Sequence, residues 1–255
     1  MNICVIGTGY VGLITGTCLA QLGNSVMCVD VVQDKVDSVN SGESPFYEPK
    51  LPEMIRSNIE KKRLVATTEL SKAVSASEVT FICVGTPPKD TGESDLTHIH
   101  AAAAEIGKVL ERREGKHIIV VKSTVPPGTS ESIIPIIEKE SGKKNGDGFG
   151  VCMNPEFLRE GNAVDDFMKP DRVVVGGERD GDIAKISSIY KPLNARIIRT
   201  DLRTAEMIKY ASNSFLATKV SFINELGNIC KLLGIDVYDV AEGMGLDNRI
   251  SPHFL

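Results

Sequence analysis

The chain contains no tryptophan, and aromatic residues make up only 5% of it. A core must therefore rest on aliphatic side chains rather than on large rings. Histidine is nearly as scarce, at four residues (98, 100, 117 and 253). His98 and His100 stand two apart, on different sides of any helix, so no metal-ligand spacing exists. The six cysteines (4, 18, 28, 83, 152 and 230) include no Cys-x-x-Cys pair. Four fall in apolar strand-like runs and two in helix-like segments, which points to buried free thiols in a reducing compartment. None has the neighbouring histidine or helix start that would make a reactive thiolate. Positive charge is not in excess: 29 Lys and Arg against 34 Asp and Glu leave a net charge of -5. That argues against nucleic-acid and acidic-membrane partners. No apolar run approaches the ~20 residues that span a bilayer. The apolar start lacks a basic leader, so a secretory signal is not expected.

What is present is an alternation. Strand-like runs recur at 2–6, 25–29, 79–84, 118–122, 149–153, 172–176 and 195–199. Several are unbroken apolar stretches, as strands buried on both faces require. Helix-like stretches lie between most of them, at 11–22, 33–41, 51–62, 98–112, 129–140 and 181–190. The expected fold is α/β, a Rossmann-type doubly wound parallel sheet with helices on both faces, spanning residues 1–200. From 201 to 255 the pattern changes. Residues 203–233 carry no proline and a single glycine, with apolar residues at helical spacing. One connecting helix over that stretch would reach roughly 45 Å, longer than ordinary globular helices and in need of a partner to cover it. A short helix near 236–243 follows.

The opening run, Met1-Asn-Ile-Cys-Val-Ile-Gly7-Thr-Gly9-Tyr10-Val11-Gly12, reads as a strand, a glycine turn and a helix start. Gly7 permits a tight turn, Gly9 lets backbone approach a pyrophosphate, and Gly12 lets the helix pack close on the strand. The helix N-terminus then offers unpaired N–H groups to phosphate. Asp30, eighteen residues past Gly12 at the tip of the second strand, is placed to accept from a ribose 2′-hydroxyl. A carboxylate there repels a 2′-phosphate, so the expected cofactor is NAD rather than NADP.

Other loops leave the same strand ends. Gly85-Thr86-Pro87 follows the third apolar run, and its hydroxyl either meets the nicotinamide side or merely ends the strand. Lys122-Ser123-Thr124 follows the next, with the same two readings. In Asn154-Pro155-Glu156-Phe157-Leu158-Arg159-Glu160-Gly161 two carboxylates stand four apart; if the segment is helical, both point one way. They either position water or accept a proton, or simply favour a helix start. Lys209 and Asn213 are an i,i+4 pair on the long helix, able to hold a developing oxyanion or to sit solvated on its surface.

Taken together with Ser44-Pro-Phe-Tyr-Glu-Pro49 and Ala205-Glu-Met-Ile-Lys-Tyr-Ala-Ser-Asn213, these motifs resemble the nucleotide-sugar 6-dehydrogenase family along essentially the whole chain. The resemblance implies an NAD-dependent double oxidation of a UDP-sugar C6 alcohol to a carboxylate, in a cytoplasmic enzyme of polysaccharide biosynthesis. It implies that Lys209 and Asn213 stabilise the C6 oxyanion, that Thr124 holds a water, and that Glu156 or Glu160 activates water for hydrolysis. Phe157, Leu158 and Arg159 would belong to the loop over the sugar nucleotide. Asp30 and Lys35 would meet the adenosine ribose, Thr86 and Thr124 the nicotinamide side. Arg249 would reach substrate across an interface of a homodimer built on the long helix. The family's thioester-forming cysteine lies in a Gly-Phe-Gly-Gly-Ser-Cys segment that these residues do not contain. The expectation is an N-terminal piece of a longer enzyme, inactive alone and without the domain that grips the uridine nucleotide. The Phe157–Gly161 loop leans toward UDP-glucose over GDP-mannose or UDP-N-acetylmannosamine. A one-step hydroxyacid-type dehydrogenase and a non-catalytic NAD-binding module are the rival readings.

Overall fold

The structure, a computed structural model, describes residues 1–254. The chain forms two compact units, Met1–Met207 and Ile208–Leu255. In the first, β1 (Asn2–Ile6), α1 (Tyr10–Gln21), β2 (Ser25–Val29), α2 (Gln33–Asn40) and α3 (Leu51–Glu60) lead to β3 (Leu64–Thr67). Next come α4 (Leu70–Ser75), β4 (Val79–Ile82), α5 (Thr97–Glu111), β5 (His117–Val121), α6 (Thr129–Ser141) and β6 (Phe149–Met153). The unit closes with α7 (Ala163–Met168), β7 (Val173–Gly177), α8 (Asp180–Ile189), β8 (Ile197–Thr200) and the first turns of α9 (Leu202–Leu233).

The strands form one sheet in the order β3-β2-β1-β4-β5-β6-β7-β8. β1 pairs in parallel with both β2 and β4, so the chain's winding reverses between β1 and β4. A crevice opens at such a switch point, beyond the carboxyl ends of the strands. The apolar runs at β4, β5 and β6 are buried throughout, as strands covered on both faces must be. The shortage of aromatics is visible in the core. Its largest fully buried side chains are two phenylalanines, Phe81 and Phe149, and otherwise isoleucines and leucines.

Two features differ from the sequence reading. β3 and α4 were not legible: β3 is a four-residue edge strand whose Val65 points to solvent, too short for a periodic signal. The sheet is also not wholly parallel, because β7 runs antiparallel to β6. After β6 the chain stays at the strand's carboxyl end, where Glu48 accepts hydrogen bonds from the N–H of Gly161 and Ala163. It therefore enters β7 from the end at which it left β6. β8 then pairs in parallel with β7 across α8.

In the second unit α9 continues to Leu233, giving a 32-residue helix about 48 Å long. Gly234 ends it with φ +68, and Asp236 caps α10 (Val237–Gly245) by accepting from the N–H of Tyr238. Lys219 donates to the carbonyls of Ile250 and His253, at 3.0 and 2.6 Å. Phe215, Phe222 and Leu232 of α9 are exposed. Among the described residues no helix is long and apolar enough to cross a membrane.

Candidate dinucleotide and nucleotide-sugar site

The three glycines of the first turn have distinct surroundings. Gly7 takes φ +93, and its N–H donates to the carbonyl of Val29 at 2.7 Å, tying the turn to β2. A Cβ on Gly12 would drive into the backbone of Gly7, 2.9 Å from its carbonyl carbon, and lie 3.0 Å from Cβ of Cys83. A Cβ on Gly9 would meet nothing within 4 Å. The space beside Gly9 is thus open to a phosphate, and the first turn of α1 bears no side-chain cap and no acidic residue. A dinucleotide pyrophosphate fits this cradle.

Asp30 stands just past the end of β2 and is 8% exposed. One carboxylate oxygen accepts from the N–H of Thr8 at 2.8 Å and from its hydroxyl at 2.6 Å. The other accepts from the N–H of Val32 at 3.0 Å, and the Lys35 ammonium lies 3.7 Å away. Burial raises the Asp30 pKa, but the Thr8 and Val32 donors and Lys35 outweigh it and hold the carboxyl below its ordinary value. Thr8 was not singled out from sequence, although a hydroxyl between two turn glycines was the available signal. Asp30 thereby fixes the glycine turn through Thr8. We expect Asp30→Asn to weaken NAD about tenfold by titration, since an amide supplies one acceptor where the carboxylate supplies two. A depressed folded-state pKa stabilises the fold above the unfolded value and is lost as pH falls through the folded one. Wild-type stability should thus fall more steeply than that of Asp30→Asn below about pH 4, measured by denaturant titration.

The loops after β4 and β5 are tied together. The Thr86 hydroxyl donates to the carbonyl of Thr124 at 2.9 Å, and the Ser123 hydroxyl donates to that of Val84 at 2.6 Å. Gly85 leaves open space around it, as Gly9 does. Thr124 therefore sits at the sheet's carboxyl edge with its backbone braced.

The segment Asn154–Arg159 is not helical; α7 begins only at Ala163. Pro155, just before the first acid, has no N–H to give, and Gly161, just after the second, turns the chain at φ +80. The conditional helical alignment of Glu156 and Glu160 is therefore not realised. Glu156 is half-buried and accepts from the N–H of Leu158 at 2.6 Å, while Glu160 is exposed. Arg159 makes a two-point pair with Asp166, at 3.0 Å through Nε and 2.6 Å through a terminal nitrogen. Phe157 lies under the Arg172 guanidinium, 3.9 Å from ring centre to carbon.

Beneath this loop is a polar cluster that sequence reasoning missed. Lys122, 3% exposed, donates to the Asn154 side-chain oxygen at 3.1 Å. The Tyr190 hydroxyl donates to the same oxygen at 2.5 Å, and the Asn154 amide donates to the Val174 carbonyl at 2.7 Å. Three strands are thereby pinned at the point where the loop leaves β6. Burial keeps Tyr190 a neutral phenol by raising its pKa.

In the second unit Lys209 and Asn213 occupy successive turns of α9, and Lys209 is 4% exposed. Arg249 pairs with Asp247 through two nitrogens, at 3.1 and 2.6 Å. All six cysteines are free and buried, and burial pushes the thiols of Cys4, Cys83 and Cys152 up to about 12. Thiols of that kind are poor nucleophiles. Among the described residues no group of three or more His, Cys, Asp or Glu could hold a metal ion.

Comparison with known proteins gives a consistent result. Residues 1–194 match the NAD binding domain of the UDP-glucose/GDP-mannose dehydrogenase family, and residues 203–255 match its central domain. UDP-glucose 6-dehydrogenase TuaD of Bacillus subtilis is 48% identical over 254 residues, covering 100% of this chain and 54% of that protein. The structure superposes with TM-score 0.96 on a ternary complex of GDP-mannose dehydrogenase from Pseudomonas aeruginosa, at 43% identity over 98% of this chain and 57% of that one. For UDP-glucose dehydrogenase from Pyrobaculum islandicum the TM-score is 0.95 at 42% identity, over 99% and 58%. The chain thus spans little more than half the length of the relatives it matches.

Proposed function

The chain belongs to the UDP-glucose/GDP-mannose dehydrogenase family, and from that premise we propose that its residues hold NAD and the reacting end of UDP-glucose for oxidation of C6 to a carboxylate. The observation that carries the cofactor half is the glycine turn, open beside Gly9, closed at Gly12 and locked to Asp30 through Thr8. Gly7, Gly9, Tyr10, Val11 and Gly12 would receive the pyrophosphate, Asp30 and Lys35 the adenosine ribose, and Gly85, Thr86, Pro87, Thr124 and Glu160 the nicotinamide side. NAD, when bound, supplies the acceptor for the hydride leaving C6.

The chain's own residues do the rest. Lys209 and Asn213 share a helix face, so an ammonium and an amide donate together to one oxygen and stabilise it as it gains negative charge. Thr124 holds a water by its hydroxyl, and Glu156 or Glu160 takes that water's proton during hydrolysis. Phe157, Leu158 and Arg159 cover the sugar nucleotide, and Arg249 adds a charge to it. The cysteines of this chain are buried, poor candidates for the nucleophile of a covalent second step, so this chain by itself should produce no UDP-glucuronate. The exposed apolar side chains of α9 suit a homodimer in the whole protein.

UDP-glucose is favoured over GDP-mannose because relatives matched along the whole of this chain, in Bacillus subtilis and Haloferax volcanii among others, are named UDP-glucose 6-dehydrogenases. The test is turnover by the full-length protein that carries this chain. UDP-glucose should yield two NADH per sugar, with GDP-mannose at least about tenfold poorer in kcat/KM. One NADH per sugar would point to a single oxidation, and preference for GDP-mannose would overturn the substrate assignment.

A further inference from the structure

The motif Ser44-Pro-Phe-Tyr-Glu-Pro49 has no part in the chemistry above, yet it contributes one of the most buried carboxylates in the chain. Glu48 is 1% exposed and lies in the loop between α2 and α3. Its Oε2 accepts a short hydrogen bond from the Tyr10 hydroxyl and another from the N–H of Gly161 at 2.9 Å. Its Oε1 accepts from the N–H of Ala163 at 2.8 Å. The N–H of Gly161 also reaches the Tyr10 hydroxyl oxygen, at 3.1 Å. The Tyr10 ring rests against Phe46 of the same motif, 5.1 Å between centroids.

Three distant parts of the sequence meet at one carboxylate. Tyr10 is the first residue of α1, directly after Gly9, so its backbone belongs to the phosphate cradle while its side chain reaches Glu48. Gly161 ends the Phe157–Gly161 loop and holds φ +80, so its N–H direction depends on a backbone state that only glycine adopts readily. A buried carboxylate needs several donors to be stable, and here the donors come from the cradle on one side and the loop on the other. Any movement of Tyr10 on phosphate binding must be answered by Glu48 and hence by Gly161.

We propose that Glu48 is a positioning residue, a latch through which occupancy of the dinucleotide cradle sets the conformation of the sugar-nucleotide loop. This deepens the dehydrogenase reading and rests on it. The same loop has two other anchors: the Arg159–Asp166 pair and an ion pair of 2.6 Å between Lys50 and Asp165 at the start of α7. The side chains of neither pair hydrogen-bond Tyr10, though the Arg159 carbonyl lies 3.4 Å from its hydroxyl. A purely structural Glu48 would resemble them and hold the loop equally with and without NAD. A latch makes the hold depend on NAD.

The experiment is amide hydrogen exchange over residues 158–164 of the full-length protein, with and without NAD, in wild type, Glu48→Gln and Tyr10→Phe. Glutamine keeps the shape but offers one acceptor for three donors. Phenylalanine removes only the cradle-side hydroxyl and leaves Glu48 bonded to Gly161 and Ala163, so it serves if Glu48→Gln fails to fold. NAD should slow exchange in this segment about tenfold in wild type, within the usual range of coupling between sites. In both variants that slowing should vanish at saturating NAD, while NAD affinity of Glu48→Gln by titration stays within about threefold of wild type. The KM for UDP-glucose should rise about tenfold in both, with kcat of Glu48→Gln within about threefold of wild type. Equal slowing in all three proteins, or none in wild type, overturns the latch. Failure of wild type to bind NAD overturns instead the dinucleotide reading, and failure to oxidise UDP-glucose overturns the substrate reading while leaving the exchange result decisive for the latch.

Discussion

Gly12→Ala is expected to abolish NAD binding and to destabilise the sheet unit at once. The added methyl would occupy space already filled by the backbone of Gly7, with the Cys83 side chain close behind. Neither neighbour can yield: Gly7 is pinned to Val29 by its N–H, and Cys83 is buried at the end of β4. The helix must therefore lift from the turn, at a cost of about 3 kcal/mol of overpacking. The cradle loses its shape, and NAD affinity should fall by about two orders of magnitude or more. Gly9→Ala is the informative partner. Among the described residues nothing beyond its chain neighbours lies within 4 Å of its new Cβ, so the melting temperature should hold. The methyl instead fills the space assigned to the pyrophosphate, and NAD affinity should still collapse. Thermal melts and NAD titrations of the two variants separate a glycine needed for folding from one needed for the ligand. Equal melting temperatures for both variants, or normal NAD binding by Gly9→Ala, would contradict the assignment.

Glu206→Ala should produce the second large effect, on stability alone. Glu206 is fully buried in the first turns of α9. It accepts from the N–H of Gly128 at 2.6 Å and of Ser130 at 2.7 Å, capping α6, which has no side-chain cap of its own. Alanine leaves two donors without an acceptor and a small void, a loss of roughly 2–4 kcal/mol. For a unit of this size that corresponds to a fall of roughly 4–16 °C in Tm. Burial raises the Glu206 pKa and prevails over the pull of the two N–H groups. A raised carboxyl contributes most below its unfolded value and loses that contribution as pH rises through the folded one. Above that range wild type carries the cost of a buried charge that glutamine avoids. Glu206→Gln should therefore cost well under half of the alanine loss at neutral pH. If the two substitutions prove equally harmful, the capping account fails.

Local pattern made much of this molecule readable. The turn Gly7–Gly12 and Asp30 could be recognised because each role depends on near neighbours and on a fixed offset between strand tips. The strand β5 and the helix α9 were readable because an unbroken apolar run and a long 3.6-residue period survive without tertiary help. Three short elements, β3, α4 and α7, of four to six residues, were not. The pairing of Glu156 with Glu160 on one helix face failed too. Spacing suggests a shared face only if the backbone is helical, and Asn154–Arg159 is not. Resemblance proposes residues for the chemistry, but it gave Glu48 no task.

The amino-acid order alone determined the dinucleotide cradle, the alternating α/β plan and the aliphatic core, because steric demands on glycine and the burial of apolar runs act over a few residues. Only the tertiary structure decided the reversal of β7, the cluster of Lys122, Asn154 and Tyr190, and the meeting of Tyr10, Glu48 and Gly161. Those depend on hydrogen bonds between groups up to 151 positions apart. A buried carboxylate or ammonium takes whatever donors and acceptors the fold brings to it, and no spacing in the chain announces them.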